Sequence, residues 1–149
     1  MDRSKSIALL NHALADELQA VHQYMFFHFH LTDQGLAPLS MLFKRTAIEE
    51  MIHVEKLAER ILFLKGEVKM AAAGPVAPIT EATAMLKQAM AMEESSQIDY
   101  NKSAIECGAN ADAVTKQLFE SLVVDEERHF DQFEKQFEKI ERFGLNYLA

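Results

Sequence analysis

Two E-x-x-H motifs are the residues of this sequence best suited to chemistry. Glu50 and His53 form the first motif, and Glu126 and His129 form the second. Residues three apart lie on the same face of a helix, so each motif presents a carboxylate and an imidazole side by side. Imidazole and carboxylate ligands together suit iron and related divalent metals. The two motifs therefore indicate a metal site.

An internal repeat at an offset of 76 residues extends the set of candidate ligands. Glu17 corresponds to Glu93 and Tyr24 to Tyr100, while the two E-x-x-H motifs correspond to each other. Each motif begins 33 residues after the preceding glutamate of its half. Glu94 adjoins Glu93 and remains a fallback, because a one-residue shift of the helix would exchange the two. The predicted metal ligands are Glu17, Glu50, His53, Glu93, Glu126 and His129.

Four long stretches with apolar residues at alternating steps of three and four must position these ligands. Such spacing is typical of helices that face a core. The first and third breaks are short and predict antiparallel hairpins, whereas the middle break can extend to roughly 40 Å at ~3.3 Å per residue. The sequence thus predicts a single all-α domain over 1–149, a four-helix bundle of two hairpins joined by a long crossover. The predicted helices are 4–34, 39–66, 80–107 and 111–143.

The predicted ligands interrupt the apolar stripe of each helix near its middle. Four buried carboxylates would repel one another unless they were protonated or neutralised. No Lys or Arg occupies the four stripes near these positions. Two divalent cations would balance the four negative charges, which is the arrangement of di-iron and di-manganese sites in ferritin-like bundles.

Composition narrows the remaining classes of function. The net charge of −8 disfavours nucleic acid as a partner and favours cations. No window approaches the 18 or so apolar residues of a membrane span, and the early charges argue against a signal peptide. The single cysteine, Cys107, excludes an intrachain disulfide and is interpreted as a small apolar residue. We therefore expect a cytoplasmic protein.

The sequence resembles the bacterioferritins over nearly its whole length. The resemblance is densest in LADELQAVHQY, IEEMIHVEKLAERILFLKG, MLKQAMAME and VVDEERHFD. It implies a ferritin-like bundle that oxidises Fe(II) with dioxygen or peroxide at two iron ions per subunit. It also implies mineral storage in a hollow shell of 24 subunits built from dimers, with a ferredoxin as an electron-donating partner. By the same resemblance Tyr24 lies beside the di-iron site, and Met51 is an axial ligand of a haem b shared between two subunits.

Two departures from the family pattern carry expectations of their own. Arg45 and Glu49 stand where some members have a His and an Asp that form an inner-surface iron site, so that accessory site is in doubt. The chain stops at GLNYLA, and we expect the family's short last helix to be abbreviated. The other histidines are expected at surfaces or interfaces rather than as ligands: His12, His22, His28 and His30.

A specific arrangement of the metal ions follows as a hypothesis. Glu50 and Glu126 would bridge two Fe(II) ions, and Tyr24 and Tyr100 would donate hydrogen bonds to ligand carboxylates. For Tyr100 a purely apolar role in the core is an equal alternative. The terminal ligands would be Glu17 with His53 on one ion and Glu93 with His129 on the other.

Three other interpretations of the sequence remain as alternatives. A rubrerythrin-like di-iron peroxidase shares the bundle but usually receives electrons through a CxxC-type iron domain or partner, and no such motif is present in this sequence. A Dps-like protective shell builds its iron sites between subunits, whereas two E-x-x-H motifs fit one complete site within a subunit. A purely structural bundle leaves the buried carboxylates unexplained.

Overall fold

Four long helices make up almost all of the computed structural model, which describes residues 1–148. The predicted fold class is confirmed, and the abbreviated last helix is a single 3₁₀ turn at Leu145–Leu148. Within these residues no helix has the length and apolar character to cross a membrane. The helices are α1 (Arg3–Asp33), α2 (Ala37–Phe63), α3 (Ala82–Ala109) and α4 (Ala113–Phe143).

The crossover segment 64–81 runs along α1 for most of the length of the bundle. Side-chain amides on α1 hold it by paired hydrogen bonds: Nε2 of Gln23 donates to the carbonyl of Ala77 at 3.0 Å, and its Oε1 accepts the Ala77 N–H at 2.8 Å. Asn11 and Gln19 bond the crossover in the same two-sided way nearer the start of α1. The crossover therefore makes α3 antiparallel to α1, and these two helices pack side by side, as α2 and α4 do.

The apolar core is divided into two clusters at the two ends of the bundle. One cluster lies toward the C-terminal end of α1 and includes Phe27, Phe43 and Phe133. The other lies toward the N-terminal end of α1 and includes Leu57 and Phe119. The buried polar residues near the middle of each helix occupy the space between the clusters.

Asp112 fastens the ends of three helices together. It caps the N-terminus of α4 through Thr115 and is buried, with Oδ2 accepting from Ser6 of α1 at 2.6 Å and Oδ1 from Arg60 of α2 at 2.8 Å. Burial works to raise the pKa of this carboxyl, but the bonds from Ser6, Thr115 and Arg60 outweigh it and hold the pKa below its usual value. These contacts join the two hairpins at one end of the bundle.

The ends of α2 and α3 differ by a few residues from the predicted boundaries, because the stopping residues are not glycines. Both helices end in a Schellman motif, with Lys65 and Ala111 in the left-handed region at φ 67° and 56°. The N–H of Gly66 reaches the carbonyl of Ile61 at 2.9 Å in the first of these motifs. Clustered Gly and Pro locate such breaks only approximately.

We expect Ala111→Gly to stabilise the protein. A left-handed conformation costs a residue with a Cβ about 1–2 kcal/mol, so glycine should raise the free energy of unfolding by about 1 kcal/mol. Ala8→Gly, at an exposed position inside α1, should lower it by about 1 kcal/mol. Urea unfolding followed by circular dichroism would measure both changes, and equal effects of the two substitutions would contradict the assignment of Ala111 as a strained helix stop.

Candidate metal centre

The structure brings the six predicted ligands together in the gap between the two apolar clusters. Each helix contributes at its midpoint, and all six side chains are at most 2% exposed. Helices α1 and α3 each supply one glutamate, while α2 and α4 each supply a glutamate and a histidine one turn apart. We call this set the six-residue cluster: Glu17, Glu50, His53, Glu93, Glu126 and His129.

The six-residue cluster contains two overlapping groups of four potential ligands. In each group, one ligand atom from every residue lies within 4.8 Å of the others. Glu50 and Glu126 belong to both groups, so their two carboxylates lie between the two positions that a cation could take. The first group adds Glu17 and His53, and the second adds Glu93 and His129.

Three carboxylates converge on a single nitrogen in the first group. Nδ1 of His53 lies 3.1 Å from Oε1 of Glu126, 3.2 Å from Oε1 of Glu50 and 3.3 Å from Oε2 of Glu17. One ring nitrogen can donate at most one hydrogen bond, so it cannot satisfy three carboxylates. A cation placed among these atoms could contact all of them.

The second group leaves buried polar atoms without partners. Nδ1 of His129 lies 3.3 Å from Oε1 of Glu50 and 3.6 Å from Oε2 of Glu93, and it makes no hydrogen bond. Buried polar atoms are nearly always paired, so such a concentration of unpaired ones indicates that a ligand belongs here. The unpaired atoms among the described residues are Glu50 Oε1, Glu93 Oε2, Glu126 Oε1 and Oε2, and His129 Nδ1. This donor set of carboxylates and imidazoles fits iron.

The pKa values show how the six-residue cluster balances its charge by holding protons. Burial is the larger cause, and repulsion from neighbouring glutamates the second, of a pKa well above the usual value at both Glu50 and Glu126. Burial lowers the pKa of His53, but Glu126 and Glu17 outweigh it and raise the pKa to about 10. The pKa of His129 is also raised, because Glu93 and Glu49 outweigh its burial. Binding of cations would have to displace these protons.

Two tyrosines close the six-residue cluster from opposite sides, one from each apolar cluster. Tyr24 donates to Oε1 of Glu93 at 2.7 Å, and Tyr100 donates to Oε1 of Glu17 at 2.5 Å. Each tyrosine thus bonds the glutamate of the other hairpin. Burial, followed by the charge of the bonded glutamate, raises the pKa of both phenols, so they remain hydrogen-bond donors.

Two further carboxylates orient the histidines, a role that was not predicted from the sequence. Oδ2 of Asp125 lies 2.8 Å from Nε2 of His53, and a carboxylate oxygen of Glu49 contacts Nε2 of His129. A carboxylate on Nε2 fixes the ring and directs Nδ1 toward the six-residue cluster. The repeat contained the signal, because Glu49 and Asp125 are also 76 residues apart and each precedes the glutamate of an E-x-x-H motif.

Arg128 connects these two outer carboxylates on the surface between α2 and α4. Its guanidinium is 2.9 Å from Oε2 of Glu49 and 3.6 Å from Oδ1 of Asp125. Burial would raise the pKa of Glu49, but Arg128 and His129 outweigh it and lower that pKa. The depression beside Arg128 reaches His53 and is also lined by Lys56. Two basic side chains and the two carboxylates that Arg128 contacts therefore border the opening on this side of the bundle.

The other residues singled out from the sequence lie outside the six-residue cluster. Glu94 is exposed, so the structure places Glu93 and not its neighbour among the potential ligands. Met51 is 46% exposed on the outer side of α2. Arg45 lies in a surface depression with Lys135 and Lys139, where positive charge disfavours a cation. Of the remaining histidines, His12, His22 and His28 lie at least partly at the surface, and His30 packs on Phe26.

Comparisons with known proteins agree with this geometry. The ferritin-like domain family matches residues 7–143. A bacterioferritin of Desulfovibrio desulfuricans is 36% identical over 99% of this chain and 82% of its own length, and one of Rhodobacter capsulatus is 37% identical over 98% and 91%. A crystal structure of the D. desulfuricans bacterioferritin, described as showing the diiron site in different catalytic states, superimposes with a TM-score of 0.96. That match has 34% identity and covers 99% of this chain and 86% of the other.

We expect the metal-free protein to lose stability as the pH rises from about 4.5 to about 10. Folded Glu50, Glu126 and His53 hold protons that the unfolded chain releases above about 4.5 and 6.5, so unfolding releases protons throughout this interval. Thermal melts of chelator-treated protein would show a falling Tm. Addition of Mn²⁺ should flatten the decline, because the cation replaces the protons, and a metal-free Tm that increased with pH would contradict this account.

Proposed function

Because this chain belongs to the bacterioferritins of the ferritin-like family, we propose that it oxidises Fe(II) at the six-residue cluster and stores the ferric product. The observation that carries this proposal is the pair of four-residue groups that share Glu50 and Glu126. Two cations bound there would replace the protons held by the glutamates and histidines. Iron ions bound at these groups supply the redox chemistry, each giving one electron to the oxidant.

The protein's own residues prepare the six-residue cluster for this chemistry. Tyr100 holds one oxygen of Glu17, and Tyr24 holds one oxygen of Glu93. The second oxygen of Glu93 has no partner, and the second oxygen of Glu17 contacts Nδ1 of His53. Asp125 and Glu49 hold the imidazoles so that Nδ1 faces inward. The apolar clusters on both sides keep bulk water out along the bundle axis. A set of buried ligands that is held by these contacts and tolerates both oxidation states of iron favours repeated oxidation.

The position of the six-residue cluster inside one subunit bears on the alternatives. All six side chains come from one chain and are buried within it, whereas a Dps-like shell uses sites between subunits. A rubrerythrin-like peroxidase usually receives electrons through a CxxC-type iron domain or partner, and the one cysteine of this sequence, Cys107, is buried. A purely structural role fails to account for the unpaired oxygens of Glu126.

Removing a shared carboxylate tests the proposal directly. Glu126→Ala should reduce the initial rate of Fe(II) oxidation by more than about 100-fold, since loss of a ligand costs at least as much as loss of an outer partner. Stopped-flow absorbance after mixing anaerobic Fe(II) with air-saturated protein would measure it. The adjacent exposed Glu127→Gln is the matched control and should oxidise iron like the wild type. Rapid oxidation by the Glu126 variant would overturn the proposal.

The family suggests a homo-oligomeric shell, and we extend this to a cytoplasmic shell of 24 subunits built from dimers. Support comes from an apolar surface of α2 that the isolated subunit leaves exposed. Ile48, Met51 and Ile52 are 43%, 46% and 41% exposed there, and grouped apolar residues of this kind mark interfaces. Release of stored ferric iron requires a reductant, and a ferredoxin could supply the electrons.

We further propose that Met51 binds a haem between two subunits. Its thioether projects from the exposed surface of α2, so the Met51 of a second copy can face it across a two-fold axis. A thioether is a suitable axial ligand, and the neighbouring Ile48 and Ile52 offer an apolar surface for the macrocycle. A haem bound there would supply a one-electron carrier near the mineral.

Substitution of Met51 should separate haem binding from iron oxidation. Met51→Leu should abolish the haem absorbance of the purified protein and leave the initial rate of Fe(II) oxidation unchanged. Met41→Leu is a matched control, because Met41 is 44% exposed on the same helix. A haem spectrum in the Met51 variant equal to that of the wild type would exclude Met51 as the ligand.

A further inference from the structure

A cavity of about 370 Å³ opens between α1 and α3 and extends to the six-residue cluster. We call it the α1–α3 cavity. Tyr24, Glu50 and Glu93 form its inner end. It lies on the side of the bundle opposite the depression that Arg128 borders, because α1 packs beside α3 and α2 packs beside α4.

Three ligand-type side chains, which we call the mouth cluster, line the same cavity nearer the surface. They are His12 and Asp16 on α1 and Asp99 on α3. One ligand atom of each lies within 4.8 Å of the others, and Nε2 of His12 is 3.6 Å from Oδ2 of Asp16. The Asp16 side chain is 31% exposed and that of His12 is 72% exposed. The mouth cluster is therefore open to solvent but partly shielded by the cavity walls.

The charge of the mouth cluster is left unbalanced by the protein. Among residues 1–148 no Lys or Arg forms an ion pair with Asp16 or Asp99, and His12 is the only ion-pair partner of Asp16. Two carboxylates within 4.8 Å of each other repel, and a divalent cation between them would remove the repulsion. One imidazole and two carboxylates form a mixed set that accepts Fe(II) or Mn²⁺.

The inner end of the cavity is formed by carboxylates of the six-residue cluster. Glu93 and Glu50 are at most 1% exposed, and Oε2 of Glu93 and Oε1 of Glu50 have no hydrogen-bond partner. Two residues with unpaired acceptor atoms thus line the same cavity whose mouth carries Asp16 and Asp99. A cation entering at the mouth finds carboxylates at both ends of the cavity.

We propose that the mouth cluster captures a divalent cation, Fe(II) during turnover, and passes it through the α1–α3 cavity to the six-residue cluster. This inference rests on the proposed function, since the six-residue cluster is the destination. His12 thereby becomes a ligand, whereas its sequence context predicted only a surface position. The opposite opening is lined by Lys56 and Arg128 as well as by Glu49 and Asp125, and Arg128 already pairs with both of those carboxylates. An exposed histidine also suits a transient site, because its ring can turn away and release the ion.

Mn²⁺ binding tests the mouth cluster without any oxidation. The double substitution Asp16→Asn/Asp99→Asn should remove one bound Mn²⁺ per subunit, as counted by electron paramagnetic resonance. The loss should occur in the wild type and also in a Glu50→Gln/Glu126→Gln background, in which metal binding at the six-residue cluster is weakened. His12→Gln should weaken the binding of the same ion without changing the number of acidic residues. The control Asp33→Asn/Glu120→Gln removes two exposed acidic charges elsewhere and should retain the ion. Unchanged Mn²⁺ binding in the Asp16/Asp99 variant would overturn the proposal.

Kinetics tests whether the captured ion is on the route to the six-residue cluster. At low Fe(II), Asp16→Asn/Asp99→Asn should oxidise iron about tenfold more slowly, the scale of local charge effects on association, while the rate at saturating Fe(II) stays unchanged. High salt shortens the screening length to about 3 Å, so a defect that persists at ~1 M salt reflects coordination rather than attraction at a distance. Wild-type rates at low Fe(II) would contradict delivery through this cavity.

The two proposals fail in different ways. Rapid oxidation by Glu126→Ala would overturn the oxidation site whatever the mouth variants do. Suppose instead that Glu126→Ala is inactive, while the Asp16/Asp99 variant binds Mn²⁺ and oxidises iron like the wild type. That result would support the oxidation site and overturn only the proposed role of the mouth cluster.

Discussion

The burial of four glutamates at the centre of the bundle is the constraint to which its other features respond. A buried carboxylate without a counter-charge is very unfavourable, and among residues 1–148 these four form ion pairs only with histidine. Burial and mutual repulsion raise the pKa of Glu50 and Glu126, and neighbouring carboxylates raise the pKa of both histidines, so the metal-free protein compensates by holding protons. Two divalent cations would supply the counter-charge that these carboxylates lack, in exchange for the protons. Stability and metal binding are therefore linked in the same set of atoms.

The surroundings of the six-residue cluster follow from the same constraint. The apolar core is split into two clusters because charged groups occupy its middle, and each apolar cluster contributes one tyrosine that turns its hydroxyl toward a glutamate. The carboxylates of Asp125 and Glu49 bond the Nε2 atoms of the two histidines, and Arg128 neutralises those carboxylates. The outer residues thus provide hydrogen-bond and ion-pair partners for the inner ones. The atoms left without a partner are those at the centre, where a metal ion would bind.

The two sides of the bundle are electrostatically unequal. Asp16 and Asp99 flank the cavity between α1 and α3, and among residues 1–148 neither forms an ion pair with Lys or Arg. The carboxylates of Glu49 and Asp125 in the depression between α2 and α4 pair with Arg128 instead. A cation therefore meets carboxylates without a basic partner on one side and neutralised carboxylates on the other. The internal repeat makes the six-residue cluster nearly symmetric, and the surface residues, which do not repeat, give it a direction.

Periodicity and spacing along the chain were sufficient to predict the helices, their hairpin pairing and the residues of the six-residue cluster. These are local properties, and the 76-residue repeat favours Glu93 over Glu94 on spacing alone. Helix ends were predicted less accurately, because Lys65 and Ala111 adopt left-handed conformations that composition does not reveal.

The packing of the hairpins establishes the contacts that spacing could not. It brings each tyrosine to the glutamate of the other hairpin, places Glu49 and Asp125 on the histidines, and brings His12 close to Asp99. These contacts join separate helices, so their geometry depends on the rotation and offset of one helix against another. A pattern along one chain specifies which face of a helix is buried, but not which side chain of a neighbouring helix it meets.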